Sequence, residues 1–375
     1  MSARFLTAVS GRAFNMRDRF GREIDYMRIS VIDSCNLNCY YCNPQDNNKN
    51  CQAINTLSVK KVLCIVRAAT RLGITHFRLT GGEPLLHPQI DEMVSQIKKI
   101  PGVRSVSLTT NAVLLAQHAK QLKEAGIDSI NVSLDTIDAS EYEHITKKTL
   151  LHKVEHGIDA AIECGIRVKI NAVLTPQTDV VALTRYASKK GTDIRFIEMM
   201  PVGEGHTNGV EPYKKVIGTL SKLYGEPCRI NTEKTKEINS GNDKRKIPDN
   251  GPAEYYIFPE LGIRVGLIQA IHGKFCDTCN RIRVTADGRL MPCLGSSVTM
   301  DLVPDSCEFT DDLEKDFVIV QALKAAIKAK PGCHNFNDNA VTYTKTTETN
   351  TTETKTTELK AAEVNAARNM SRIGG

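Results

Sequence analysis

The chain has 375 residues, enough for one large barrel-like domain with an appendix or for two ordinary domains. Its 41% hydrophobic and 25% charged residues are typical of a globular protein and exclude collagen-like and wholly disordered classes. The net charge of +6 is spread along the chain, so it does not indicate nucleic-acid binding. The longest stretch without a charged residue, 105–119, carries polar side chains, so no membrane helix is predicted. The first 25 residues lack the apolar segment of a secretory signal, and we expect a soluble, cytoplasmic protein.

The N-terminal half alternates apolar, β-branched stretches with amphipathic ones. Strands are predicted at 27–32, 76–79, 104–109, 129–134, 167–174 and 192–197. Helices are predicted at 58–72, 89–100, 112–125, 151–164 and 179–190, several of them ending at a glycine. Repeated strand–helix units favour parallel strands. Because there are six units rather than eight, we expect an α/β fold of the incomplete (β/α)6 TIM-like barrel type.

The C-terminal half is less regular. A helix is predicted at 213–224, a polar excursion at 239–252, short hairpin strands at 255–258, 263–268, 282–285 and 289–292, and a helix at 312–330. Residues 342–358 are rich in Thr and indicate a linker. We therefore divide the chain into an N-terminal extension (1–16), a partial barrel (17–200), a β-containing C-terminal extension (201–340) and a linker with a Gly-Gly tail (341–375).

Twelve cysteines without an export signal indicate metal ligation rather than disulfides. Two groups of three have close spacing, C-x3-C-x2-C in the first and C-x2-C-x13-C in the second: Cys35, Cys39 and Cys42, then Cys276, Cys279 and Cys293. A structural zinc site closes its tetrahedron with four protein ligands, whereas three thiolates leave one coordination position open. Iron–sulfur clusters fit this arrangement better than zinc.

The first cysteine group follows the first predicted strand, and the aromatic Tyr41 directly precedes its third cysteine. Together with Gly81-Gly82-Glu83-Pro84 at the end of the second predicted strand, this pattern resembles the radical SAM superfamily signature. The resemblance implies a partial barrel in which a 4Fe-4S cluster binds S-adenosylmethionine through its open iron. Cleavage of that cofactor would then give a 5'-deoxyadenosyl radical.

The second cysteine group lies in Phe275-Cys-Asp-Thr-Cys-Asn-Arg-Ile-Arg283 and Gly288-Arg-Leu-Met-Pro-Cys293. With Asn131-Val-Ser-Leu-Asp135, Arg195-Phe-Ile-Glu-Met-Met200 and the terminal Gly374-Gly375, it is similar to the molybdenum cofactor biosynthesis protein A family, the GTP 3',8-cyclases. The resemblance implies a lyase that abstracts hydrogen from the ribose C3' of GTP and joins C3' to guanine C8. The product is (8S)-3',8-cyclo-7,8-dihydroguanosine 5'-triphosphate, the first intermediate of molybdenum cofactor biosynthesis.

Site residues carry over by matching position. The two cysteine groups would each hold a 4Fe-4S cluster, and the second would meet the guanine base. Positions that match contacts to S-adenosylmethionine are Tyr41, Gly82, Ser133 and Met200. Positions that match contacts to GTP are Arg28, Arg78, Thr109, Lys169, Arg281, Ile282 and Arg283. Arginine and lysine suit triphosphate oxygens, and the resemblance gives Arg281 and Arg283 a catalytic role beside the second cluster.

The implied partners are a flavodoxin- or ferredoxin-like one-electron reductant and a downstream cyclic pyranopterin monophosphate synthase, with no membrane or nucleic acid. The sequence leaves open whether the protein is a monomer or a homodimer. One alternative is another radical SAM enzyme with an auxiliary cluster, such as a peptide-modifying maturase. The other is a zinc-stabilised nucleic-acid-binding protein, which predicts a basic, aromatic-bearing face that 5% aromatic residues support poorly.

Overall fold

The computed structural model describes residues 16–42, 54–202, 210–230, 251–296, 298–302, 312–334 and 336. The predicted N-terminal extension, apart from Met16, lies outside these residues. So do the Thr-rich linker and the tail glycines Gly374 and Gly375. Across the described part of the chain, no helix has the length and apolar character needed to span a bilayer.

Six parallel strands in chain order form the centre of the fold. They are β1 (Tyr26–Ser30), β2 (His76–Thr80), β3 (Ser105–Thr110), β4 (Ser129–Ser133), β5 (Val168–Leu174) and β6 (Asp193–Glu198). Each lies within two residues of its predicted bounds at either end. Parallel neighbours joined by helices are the arrangement of a (β/α) barrel.

The helices between these strands cover the sheet. They are α1 (Val59–Thr70), α2 (Ile90–Lys98), α3 (Leu115–Glu124), α4 (Ala139–Thr146), α5 (Leu151–Glu163) and α6 (Val180–Lys189). Three begin at a side-chain cap: Ser58 for α1, Asp138 for α4 and Asp179 for α6. The sequence analysis missed α4, because its eight residues are mostly polar and too short to show a clear 3.6-residue period.

The remaining described strands and α-helices follow β6, together with one π-helical turn. They are a π-helical turn at Tyr213–Ile217, α7 (Gly218–Tyr224), β7 (Cys228–Arg229), β8 (Glu254–Ile257), β9 (Arg264–Ile268), β10 (Arg281–Val284), β11 (Arg289–Met291), β12 (Met300–Asp301) and α8 (Asp312–Ala329). The strands β8 and β9 pair as an antiparallel hairpin, and so do β10 and β11. Both hairpins were predicted.

The two hairpins extend opposite edges of the barrel sheet. Strand β9 pairs parallel to β6, and β10 pairs parallel to β1. Among the described residues the strand order is β12–β11–β10–β1–β2–β3–β4–β5–β6–β9–β8–β7, and no hydrogen bonds close it into a ring. The fold is therefore an incomplete α/β barrel, as predicted, and its C-terminal strands bring the second cysteine group beside β1.

The C-terminal helix α8 returns to the start of the barrel and packs against α1. Its buried Asp316 accepts a hydrogen bond from Arg71 at 2.9 Å and lies 3.8 Å from Arg67. Ile319, Leu323 and Ile327 on α8 are fully buried in the main core. The end of α8 is thereby fixed beside β10 and β11, where the second cysteine group lies.

Candidate active site

The loop after β1 carries Cys35, Cys39 and Cys42. Backbone hydrogen bonds hold it on the end of α4, from the Asn38 amide to Thr146 (3.0 Å) and from the Tyr40 amide to Ile145 (3.2 Å). The Cys42 amide donates to the Cys39 carbonyl at 3.0 Å, which makes a tight turn between these two thiols. The unpredicted helix α4 therefore serves as a support for the first cysteine group.

The Gly81–Glu83 turn at the end of β2 holds the other side of this loop. The Gly82 amide donates to the Ile32 carbonyl at 2.7 Å, and the Glu83 amide donates to the Ser34 carbonyl at 2.8 Å. A Cβ atom at Gly82 would lie 2.2 Å from the Ser34 carbonyl oxygen, closer than any real contact. Glycine is required here because two backbones meet.

Glu83 is 1% exposed and accepts three hydrogen bonds, from the Thr110 hydroxyl at 2.6 Å and from the Asn111 and Leu85 amides. Burial raises the pKa of its carboxyl to about 7. These bonds fix the ends of β2 and β3 together at the edge of the cavity described below.

Tyr41 points to the end of β4, where its hydroxyl donates to Asp135. Asp135 also accepts the Val173 amide at 2.8 Å, so it joins the first cysteine loop to the end of β5. Burial raises the pKa of Asp135. Asp135 lies in a motif that the sequence analysis quoted without giving this residue a role.

The second cysteine group is assembled from two segments. Cys276 and Cys279 lie on a 3-10 turn in which the Cys279 amide donates to the Cys276 carbonyl at 3.1 Å, and Cys293 follows β11. Burial alone would raise the pKa of Cys279, but the charges of Arg281 and Lys330 outweigh it and lower the pKa to about 7. The second site therefore favours a thiolate at Cys279.

The strand register places three arginines side by side. Arg28 on β1 is the partner of Arg283 on β10 and of Arg78 on β2. Burial, followed by the charges of Arg283 and Arg78, lowers the pKa of Arg28. Burial and Arg281 lower the pKa of Arg283 to about 10. With Arg281, these three arginines concentrate positive charge at one place in the sheet, an arrangement that could bind a highly charged anion.

Both cysteine groups line a single cavity of about 300 Å³. Besides the six cysteines, it is lined by most of the predicted cofactor and substrate residues: Arg28, Tyr41, Gly82, Thr109, Ser133, Met200, Arg281 and Arg283. It lies at the carboxyl ends of the barrel strands, the place where (β/α) barrels hold their active sites. Arg28 lies on β1, which precedes the first cysteine group, and Arg281 and Arg283 lie on β10, between Cys279 and Cys293 of the second group.

Three predicted substrate residues do not line this cavity. Arg78 stands behind it and donates to Tyr26 and, at 3.3 Å, to the Thr109 hydroxyl. The Lys169 ammonium lies over the Tyr255 ring, 5.8 Å from its centroid. The Ile282 side chain is 1% exposed in the main core, on the opposite face of β10 from Arg281 and Arg283.

Several residues that sequence reasoning missed also line the cavity. Asn171, Glu198 and Lys330 contribute polar groups, while Phe275 and Phe336 contribute rings. Glu198 accepts the Ile271 amide at 2.7 Å and contacts the His272 ring. Glu198 lies inside a quoted motif, but Lys330 follows an ordinary amphipathic helix and has no local sequence signal.

The donor set fits iron–sulfur clusters. Each group supplies three thiols to the cavity, and no other described cysteine lines it. Burial raises the pKa of Cys35 to about 11 and that of Cys42 to about 12, and binding to iron would favour their thiolate forms. Within the described residues, no three Cys, His, Asp or Glu side chains meet closely enough for one metal ion. Thiols that bind different irons of one cluster do not need to converge in that way.

Comparisons with known proteins show which proteins this chain resembles. The sequence profile of the Radical SAM superfamily matches residues 29–183, and that of Molybdenum Cofactor Synthesis C matches residues 192–336. Among solved structures, the fold is similar to Streptococcus suis SuiB bound to precursor peptide SuiA, with a TM-score of 0.54 and 16% identity over 82% of this chain and 67% of that chain. This last likeness concerns the fold alone.

Curated relatives are more similar in sequence. The chain is 36% identical to a GTP 3',8-cyclase of Clostridium perfringens, over 86% of this chain and 95% of the relative. It is 36% identical to one of Clostridium acetobutylicum over 88% and 98%, and to one of Listeria monocytogenes over 85% and 92%. These relatives cover more than four fifths of the chain, and the chain therefore belongs to the GTP 3',8-cyclase family of radical SAM proteins.

Proposed function

We propose that this protein is a GTP 3',8-cyclase, which converts GTP to (8S)-3',8-cyclo-7,8-dihydroguanosine 5'-triphosphate at the start of molybdenum cofactor biosynthesis. The observation that carries the proposal is one cavity with a cysteine group from each half of the chain and arginines on the strands beside them. Such a cavity can hold a radical source, a triphosphate and a second cluster together. The cyclase names of relatives that span nearly the whole chain support it.

We assign the cofactors as the family resemblance implies. Cys35, Cys39 and Cys42 hold the cluster that binds S-adenosylmethionine, and Tyr41, Gly82, Ser133 and Met200 surround that cofactor. Cys276, Cys279 and Cys293 hold the second cluster. When bound, these groups supply the electron and the 5'-deoxyadenosyl radical for the reaction.

The chain's own residues bind and orient GTP. Arg28, Arg281 and Arg283 bind its phosphate and base oxygens, because guanidinium groups in a partly buried site donate strongly to anionic oxygens. Thr109 adds a hydroxyl at the end of β3, held by Arg78 from behind. Lys169 contributes positive charge from β5. The Met200 and Phe336 side chains limit the access of water to the radical.

The proposed reaction needs partners beyond GTP. A flavodoxin- or ferredoxin-like protein supplies the single electron, and cyclic pyranopterin monophosphate synthase consumes the product. We place the enzyme in the cytoplasm, where reducing conditions keep cysteine thiols free to bind clusters.

The test is anaerobic reconstitution with iron and sulfide, followed by incubation with S-adenosylmethionine, dithionite and GTP. We expect 5'-deoxyadenosine and the cyclised nucleotide in equal amounts by mass spectrometry. Formation of 5'-deoxyadenosine without a nucleotide product would exclude GTP as the substrate. Absence of both products from protein with about eight irons per chain would reject the whole assignment.

Cysteine variants separate the two clusters. We expect Cys35→Ala to abolish 5'-deoxyadenosine formation, and Cys293→Ala to retain some cleavage while losing cyclisation. Cys228→Ala is the matched control, because this exposed cysteine on β7 lies outside the cavity. Cyclisation at the normal rate by Cys293→Ala would contradict the two-cluster assignment.

A further inference from the structure

The end of α8 places a buried cation against the second cysteine group. Lys330 directly follows α8, is 2% exposed and lines the cavity. Its ammonium donates to the Arg281 carbonyl at 2.8 Å and to the Pro292 carbonyl at 2.9 Å. It also makes a side-chain hydrogen bond with Cys279. The three N–H groups of this ammonium thus have three acceptors, and all of them belong to the second site.

All three acceptors of Lys330 lie at or close to cysteines of the second group in the sequence. Arg281 is two residues after Cys279, and Pro292 directly precedes Cys293. Lys330 therefore connects the two segments that supply the second group's thiols. Main-chain carbonyls alone would be satisfied by a neutral donor. A buried charge is costly unless anions lie close by, and thiolates of a cluster are such anions.

Residues around Lys330 complete a shell about the second cysteine group. The Arg22 guanidinium, 7% exposed, donates to the Cys276 carbonyl at 2.7 Å and to the Pro331 carbonyl at 2.6 Å. The His334 amide donates to Cys276, and the His334 ring contacts the Ala270 carbonyl. Asp18 pairs with Arg22 and balances its charge. Lys330 has no such carboxylate partner among the ion pairs of the described residues.

We infer that Lys330 is a positioning residue that raises the reduction potential of the second cluster through its charge and its hydrogen bond to Cys279. The inference rests on the proposed function, because it requires that cluster. A positive charge near a cluster stabilises the reduced, more negative state. Hydrogen bonds to ligating sulfur and net charge are the means by which proteins set cluster potentials. Lys330 thereby sets how readily the second cluster accepts an electron.

The experiment is a redox titration of the reconstituted full-length protein, monitored by electron paramagnetic resonance. The signal that disappears in Cys293→Ala is assigned to the second cluster. We expect Lys330→Met, which keeps the stem but removes charge and donors, to shift that signal to a more negative potential and to leave the first cluster unchanged. Lys330→Arg should restore the potential toward the wild-type value. Lys328→Met, at an exposed position on α8, is the control and should change neither.

An unchanged second-cluster potential in Lys330→Met overturns the inference. If Lys330→Met binds no second cluster, the titration is repeated with Lys330→Gln. A second-cluster potential equal to that of the wild type in Lys330→Gln also overturns the inference. Loss of the second cluster from Lys330→Arg also overturns the inference. If the positive charge is what matters, the variant that keeps that charge must retain the cluster. Iron analysis of the wild type distinguishes failure of this inference from failure of the proposed function. About four irons per chain instead of about eight would count against the proposed function itself.

Discussion

At the scale of single residues, Arg28, Arg78 and Arg283 form a row of positive charge across β1, β2 and β10. These three residues are register partners on adjacent strands, and burial together with the charges of Arg283 and Arg78 lowers the pKa of Arg28. Like charges that are partly removed from water repel each other more strongly than at the surface. An anionic ligand with several charges would relieve that repulsion, which supports the proposal that these residues bind a triphosphate.

We predict that Arg28→Met weakens GTP binding roughly 10- to 100-fold, because a hydrogen bond to a charged group contributes about 1.5–3 kcal/mol. The same change should not lower the free energy of unfolding of the nucleotide-free protein, because it removes one charge from the repelling row. Anaerobic calorimetric titration with GTP and urea unfolding measure the two effects.

The control for this prediction is Lys120→Met, which removes an exposed cation from α3. It should change neither quantity, because exposed charges distant from the ligand are screened. Equal GTP affinity in Arg28→Met and the wild type would mean that the row does not bind the nucleotide.

At the scale of elements, the turn after β2 and the cysteine loop after β1 depend on each other. Gly81 and Gly82 lie against Ile32 and Ser34, and a Cβ atom on either glycine would meet backbone at 2.3 Å or less. Backbone atoms cannot move aside as a flexible side chain does. Without this close backbone contact between the turn and the loop, the loop cannot hold its three cysteines at the cavity.

We predict that Gly82→Ala loses the first cluster and keeps the second. Iron analysis should fall from about eight to about four irons per chain, and 5'-deoxyadenosine formation should cease. Gly218→Ala is the matched control, because a Cβ atom on this helical glycine would meet no atom within 4 Å. Full iron content in Gly82→Ala would show that the loop does not need this contact.

A second contact between elements joins the barrel to the C-terminal hairpin. Asp193 on β6 accepts from the Arg264 guanidinium at 2.5 Å and from the Arg264 amide at 3.1 Å, at the start of β9. Burial alone would raise the pKa of Asp193, but the hydrogen bonds and charge of Arg264 outweigh it and lower the pKa below its usual 3.8. The pair therefore stabilises the fold above that pH and fails only as the pH falls through the lowered pKa.

We predict that Asp193→Asn lowers the free energy of unfolding by about 3 kcal/mol, since it removes the charge of a buried carboxylate that pairs with Arg264. The loss should be equal at pH 6 and pH 8, because Asp193 is ionised at both. Asp159→Asn, which breaks the more exposed pair with Lys190, should cost under about 1 kcal/mol. Urea unfolding at both pH values checks the comparison, and a penalty that grows between them would contradict this role of Asp193.

The elements show how far sequence could predict this protein. Strands β1–β6 and most helices were predictable because apolar periodicity is a property of neighbouring residues in the sequence. The cysteine groups were predictable because ligand spacing is also local. The support by α4, the alignment of Arg28 with Arg78 and Arg283, and the position of Lys330 were not, because each depends on register or on residues far apart in the chain. Arg28 and Arg283 meet only because β10 pairs with β1.

At the scale of the whole molecule, the two halves of the chain form one sheet. Strand β10 covers the free edge of β1 and β9 covers that of β6, so the C-terminal hairpins protect both edges of the partial barrel. Exposed edges of apolar parallel strands favour aggregation. The boundary near residue 200 proposed from sequence therefore separates two stretches of chain that share one core, in which Ile282 packs with Met27 and Ile29.

We predict that residues 1–200 produced alone aggregate and do not bind S-adenosylmethionine, although they contain the complete first cysteine group. Co-expression with residues 201–375 should return the fragment to solution, because β9 and β10 can then pair with the edges of β6 and β1. Size-exclusion chromatography and iron analysis of the two preparations test this. A monomeric 1–200 fragment that unfolds cooperatively and binds about four irons would show that the barrel is an independent domain. In that case the C-terminal strands would supply the second site without being needed for the first.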